Sequence, residues 1–205
     1  PKDKKANKPL TPEELGLLKV WIDSGARDDS DEVEKTTAPV QLGELPPGVQ
    51  PINAVDLTND GTRVVCGRAN VVQVYDAVSG LEIISLGGHK DLIQSVRFSP
   101  DGRRLAAGSY EIVTLWDAPT GRRAAAYTGH TEPVAALATG PDGKTVVSGG
   151  HDKTVRFWDT AGKPLRQIAT PSPVLALSLS RDGKSVATGG ADGVVRVYNA
   201  ADGKE

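Results

Sequence analysis

The chain has 205 residues, a formal net charge of -2 and 24% charged side chains. That balance lacks the basic stripe of a nucleic-acid-binding surface. Only 4% of residues are aromatic, against 23 glycines and 14 prolines, which suits many short strands joined by tight turns better than a helical bundle.

In chain order, the first predicted element is a helix. Thr11-Pro12-Glu13-Glu14 marks its start, with Thr11 as N-cap, Pro12 at the first helical position and Glu14 reaching back as a capping box. Leu15, Leu18, Trp21 and Ile22 share one stripe, and Gly25 is placed to end the helix. Residues 1–26 therefore read as the closing helix of an upstream domain, and residues 27–38, with Asp28-Asp29-Ser30-Asp31-Glu32, as an acidic linker. The leading Lys2-Asp3-Lys4-Lys5 carries mixed charge and reads as solvated chain. There is no methionine, even at position 1, and the chain stops at Lys204-Glu205 inside an unfinished pattern, as expected of a piece of a longer protein. No apolar run approaches the ~18 residues of a membrane-spanning helix. The single cysteine, Cys66, excludes a disulfide framework or a cysteine-rich metal site within these residues.

Residues 39–205 repeat. Asp-Gly occurs at Asp60-Gly61, Asp101-Gly102, Asp142-Gly143 and Asp182-Gly183, at spacings of 41, 41 and 40. A second marker follows each: Tyr75-Asp76, Trp116-Asp117, Trp158-Asp159 and Tyr198-Asn199. Two markers keeping one period over four copies define a structural repeat. In the third copy, Pro133 to Ala138 is a small apolar run suited to a strand packed on both faces. Thr145 to Gly149, Thr154 to Trp158 and Pro164 to Ile168 follow as strands, separated by turns at Asp142-Gly143, His151-Asp152-Lys153 and Thr160 to Lys163. Four antiparallel strands per repeat make the sheet unit of a propeller, and such sheets bury their faces only by stacking on one another.

These repeats resemble the WD-repeat β-propeller family. The third copy carries Gly129-His130, Pro141-Asp142-Gly143, Ser148-Gly149-Gly150, Asp152 and Trp158-Asp159; the second keeps Gly88-His89, Ser99-Pro100-Asp101-Gly102 and Trp116-Asp117. The resemblance implies an all-β fold of four blades, about residues 49–88, 89–129, 130–169 and 170–205. It also implies a hydrogen-bonded structural tetrad of His130, Ser148, Asp152 and Trp158. The other copies depart from it. The second has Ala107 for the hydroxyl and Glu111 near the Asp position; the fourth keeps Thr188 and Asp192 but has Thr170 for His and Tyr198 for Trp. The first has Gly48, Cys66 and Asn70 at the His, hydroxyl and Asp positions. Family members usually close with seven blades, so four copies imply an incomplete ring with raw sheet edges prone to self-association. Val40 to Leu45 would then be an outer strand of the last blade.

The helix has its own resemblance. Leu10 to Leu15 with Trp21 to Ala26 is similar to the last helix of a planctomycete-type c-type cytochrome domain, often joined to WD repeats by such a linker. That implies haem c held upstream, a redox partner and a periplasmic or extracytoplasmic home; no cofactor is expected within this chain, whose only cysteine lies in a strand.

His130, Ser148 and Asp152 have the residue types of a nucleophilic triad. The Trp at the family spacing accounts for all three, and no Gly-x-Ser-x-Gly elbow accompanies the serine. His89, His130 and His151 lack paired metal-ligand spacing. Gly149-Gly150 reads as ordinary strand-end glycine, and Cys66 as a small buried residue. No catalytic residue is expected. The sequence points to a scaffold for protein partners, with neither nucleic acid nor a membrane span, and the alternative is a parent electron-transfer protein. Tyr110 and His151, at matching places between second and third strands, with nearby Arg156, are the candidate partner contacts.

Overall fold

A computed structural model describes residues 50–205. The helix, the acidic linker and the Val40–Leu45 strand expected from the sequence lie outside the described residues, as does Gly48.

The first repeat folds as β1 (Ile52–Leu57), β2 (Arg63–Arg68), β3 (Val71–Asp76) and β4 (Glu82–Leu86), an antiparallel meander. The second contributes β5 (Ser95–Phe98), β6 (Arg104–Gly108) and β7 (Tyr110–Asp117). Its fourth strand is the first part of β8 (Arg122–Thr139), which runs on to become the first strand of the third repeat. There β8 pairs with β9 (Thr145–Gly150), followed by β10 (Thr154–Asp159) and β11 (Pro164–Ala169). One long strand thus joins the second and third blades into a single hydrogen-bonded sheet, where the sequence suggested two separate four-stranded units. In the fourth blade the described strands are β12 (Val174–Leu179), β13 (Ser185–Gly190) and β14 (Val195–Asn199).

The sequence markers have local causes. In the turn between first and second strands, the Asp carboxylate accepts backbone N–H bonds from Thr62, Arg103, Lys144 and Lys184 in successive blades. The following glycines sit at φ of 65 to 71°, where a Cβ is penalised. The Thr58 hydroxyl, with the Thr62 backbone and hydroxyl, holds Asp60 down to about 2. The Asp after each aromatic residue caps the next turn: Asp76 accepts from Val78 and Ser79, Asp117 from Thr120, and Asp159 from Ala161 and Lys163. Asn199 does the same with its amide oxygen. Any short side-chain acceptor suffices at this place, which is why the marker tolerates Asn.

The blades stack through apolar faces set by the period-2 alternation of strands. In β6, Leu105 and Ala107 join a cluster with Val65, Val72 and Val74 of the first blade, while Ala106 joins Leu137, Val146 and Trp158 of the third. Phe157, Val155 and Val147 meet Val174, Leu177 and Val186 of the fourth. The sequence period becomes spatial neighbourhood: Ser95 Oγ donates to Val134 O, Arg97 Nε to Leu137 O, and Thr139 Oγ1 to Phe98 O. Arg97 also bridges to Asp56 at 2.9 Å.

Close stacking needs a glycine that sequence reading passed over. Gly149 was expected to be an ordinary strand-end glycine; a Cβ there would lie 2.6 Å from Val174 of the next blade. The same position in the second blade, Gly108, faces Val134 at 3.0 Å, and in the first, Gly67 abuts Ile93. In the fourth blade the equivalent Gly189 meets only its own Ala176, at 3.6 Å. Among the described residues, the outward faces of the first and fourth blades stay apolar and exposed. Val55 is 65% exposed where its repeat equivalent Val96 is 4%, and Val195 is 73% exposed.

Candidate functional site

The third blade brings four candidate residues together. His130 stands in the bend of β8, Ser148 on β9, Asp152 in the following turn and Trp158 on β10. Trp158 Nε1–H donates to Ser148 Oγ at 2.8 Å, and Ser148 Oγ lies 2.7 Å from His130 Nε2. His130 Nδ1 lies 2.9 Å from Asp152 Oδ2. With Asp152 ionised, Nδ1 carries the ring proton, so Nε2 accepts the serine hydroxyl proton. Each donor then has one acceptor in an unbroken line from indole to carboxylate. Thr154 closes the far end: its hydroxyl and amide both donate to Asp152 Oδ1, at 2.8 and 3.1 Å.

Electrostatics agree with that order. Burial lowers the His130 pKa, with Asp152 opposing, so the imidazole stays neutral. Burial pushes Asp152 up, but hydrogen bonds from Thr154 and His130 outweigh it and leave the carboxyl below its ordinary value. The triad-like chemistry is blocked by access: Ser148 is fully buried, and both its hydroxyl proton and its oxygen are engaged inside the sheet. A nucleophile must reach its substrate, and this oxygen faces only protein.

In the second blade, His89 is buried against Trp116, ring centroids 5.0 Å apart, but its Nε2 has no partner. Ala107 stands where the third blade has Ser148, and burial alone lowers the His89 pKa. Glu111 is exposed at φ 61°, the left-handed geometry that Lys153 rather than Asp152 has in the third blade, at φ 59°. In the first blade, Asn70 donates instead to the His89 carbonyl, at 3.2 Å, and buried Cys66 has its thiol pushed up by desolvation. In the fourth, Asp192 turns to Arg196 at 2.8 Å, and the buried Tyr198 hydroxyl is unpartnered.

The three residues expected at a partner surface separate. Tyr110 is exposed, but it begins β7 and pairs with Pro133, where the sequence reading had put it in the turn. An irregularity between Tyr110 and Ile112 takes up Glu111 and lets the strand start early. The carboxylates of Glu132, Glu111 and Asp91 raise the Tyr110 hydroxyl pKa. His151 is exposed in the corresponding turn of the third blade. Arg156 turns inward: its Nε donates to Thr154 Oγ1 at 3.2 Å, and it lies 4.0 Å from Asp152. It supports the polar line more than it faces solvent. Sequence reading missed this because a strand residue next to a turn gives no sign of which way its side chain folds.

A family model described as WD domain, G-beta repeat matches three segments of the chain, residues 80–117, 121–159 and 162–199. No curated protein matches the chain. The matched family gives no support to a haem protein, and the helix behind that expectation lies outside the described residues. No helix among the described residues is long and apolar enough to cross a membrane.

Proposed function

The chain belongs to the WD-repeat family, and on that premise we propose that it is a scaffold that binds protein partners and performs no chemistry of its own. The observation that carries the reading is the end of the second and third blades that bears Tyr110 and His151. Tyr110 is 43% exposed and Leu92 50%, and neither is needed to fill a core. The carboxylates of Glu132, Glu111 and Asp91 raise the Tyr110 hydroxyl pKa, which marks a negative local field. An exposed aromatic in a negative local field fits a partner segment that pairs an apolar side chain with Lys or Arg. Arg156, held by Thr154 and Asp152, is only part-exposed and offers less to a partner than Tyr110 and His151.

Partner capture from lysate, with Tyr110→Ala, His151→Ala and Glu132→Lys beside the parent chain, tests the surface. Capture is expected to fall about tenfold or more with Tyr110→Ala, the loss expected of a hot-spot residue. It is also expected to weaken as salt is raised. If Tyr110→Ala and His151→Ala both leave capture unchanged, this surface is not the contact.

A further inference from the structure

At the opposite end of the second blade, an open depression of about 350 Å³ is lined by Arg104, Asp117, Thr120, Arg122, Arg123 and Ala124. Arg104 lies across from Asp117 in the β6–β7 ladder, and Arg122 and Arg123 lie across from Asp117 and Trp116 in the β7–β8 ladder. The pairing skips Ala124 there, a bulge that lets neighbouring side chains reach the same end of the sheet. One carboxylate stands among three guanidiniums. It is already engaged, accepting the Thr120 hydroxyl and lying 3.7 Å from Arg104.

The repeats show that the fold does not require an arginine pair at the places of Arg122 and Arg123. The same ladder positions hold Arg63, Leu81 and Glu82 in the first blade, and Thr145, Lys163 and Pro164 in the third. The first three blades carry the same kind of bulge before the aromatic marker, so the scaffold is shared and the charges of Arg122 and Arg123 together are not. Arg122 and Arg123 are exposed, with no ion pair among the described residues.

We propose that this depression binds a phosphate monoester. After Asp117 is counted, the lining carries two net positive charges, matching the charge of about -1.5 to -2 on a phosphate monoester at neutral pH. Guanidinium forks suit its oxygens bidentately. Towards the first blade Leu81 and Glu82 take the places of Arg122 and Arg123, so the positive charge does not run on in that direction and a compact anion fits better than an extended polyanion. The group arrives either free or as a phosphorylated Ser or Thr on a protein. The site lies at the other end of the strands from Tyr110, so it stands or falls separately from the surface proposed above.

Isothermal titration of the full chain tests this with three probes: inorganic phosphate, a short phosphoserine peptide and the same peptide unphosphorylated. The phosphopeptide is expected to bind and the unphosphorylated one to give no heat. Arg122→Ala, Arg123→Ala and Arg104→Ala are each expected to weaken binding tenfold or more. The first two alter exposed side chains and should leave thermal unfolding unchanged, so their loss of binding reports on the site. Equal affinity for inorganic phosphate would assign the free anion as ligand; preference for the peptide would assign a protein-borne one. No heat from either phosphorylated probe, or unchanged binding in both Arg122→Ala and Arg123→Ala, overturns the proposal. Tighter binding of a single-stranded oligonucleotide than of either phosphate probe does so too.

Discussion

The second and third blades share a sheet, a long strand and nearly the same turns, yet one has a complete polar line and the other a stranded histidine. In the third, the Trp158 indole, Ser148 hydroxyl, His130 ring and Asp152 carboxylate satisfy one another. In the second, Ala107 removes the hydroxyl that would link Trp116 to His89, and His89 Nε2 is left buried without a partner. Both blades nevertheless pack Trp, Leu and Val against their neighbours in the same pattern. The difference separates two roles. Apolar faces build the stack, and the polar line stabilises one blade where it is complete.

The largest effect should come from the aromatic itself. Trp158 is 2% exposed and stacked on Tyr127 at 5.3 Å, so Trp158→Ala should cost about 3–5 kcal/mol in urea unfolding. Trp116→Ala should cost a similar amount despite its incomplete polar line. A small loss at Trp116 would mean that packing does not carry the second blade.

Stacking distance comes next. Gly149→Ala forces a Cβ against Val174 and should lose about 1–3 kcal/mol through overpacking, while Gly189→Ala, whose nearest neighbour is Ala176, should cost far less. Equal losses in thermal unfolding would show that strand geometry, not the approach of the next blade, selects glycine here.

The polar line can be cut in one blade and repaired in the other. Ser148→Ala strands the Trp158 N–H and the His130 Nε2 lone pair and should lose about 1–3 kcal/mol. Conversely, Ala107→Ser places a hydroxyl at the same ladder position below His89 and should gain about 0.5–1.5 kcal/mol. A neutral or harmful Ala107→Ser would falsify the view that the second blade lacks only a partner for its histidine.

Acid should reveal the smallest difference. Burial lowers the pKa of both His89 and His130 below the ordinary value of 6.5. Each therefore contributes stability fully present above about pH 6.5, and lost as pH falls towards the folded-state value because the unfolded chain takes up the proton first. Asp152 sits below its ordinary value, so its share is present above the usual carboxylate range and lost at lower pH. His89→Gln should flatten the fall in melting temperature between pH 7.5 and 5.5, and an unchanged slope would show that His89 does not titrate on unfolding.

Much of the fold was legible because its causes are local. A turn that needs a carboxylate to hold backbone N–H groups and a positive φ behind it selects Asp-Gly wherever it occurs, so the turn leaves a period in the sequence. The tetrad residues were legible only through the resemblance to the WD-repeat family, since His130, Ser148, Asp152 and Trp158 stand complete in one copy alone. The arginine depression was not. Arg104, Arg122 and Arg123 look like scattered surface charge until the antiparallel ladders set them at one end of one blade. Gly149 read as a strand end because nothing nearby in the chain explains it; its reason is Val174 of the next blade.

The sequence by itself determined the repeat, the strands and the turns, since hydrogen-bonding groups and backbone preferences act over a few residues. Tertiary structure alone decided which face of each strand meets which neighbour and that Ser148 is sealed from substrate. It also decided that Arg156 folds inward and that three arginines share one depression. The meeting of neighbouring blades depends on residues about 40 positions apart coming within a few ångströms, while the other outcomes depend on strand pairing and side-chain packing inside one blade.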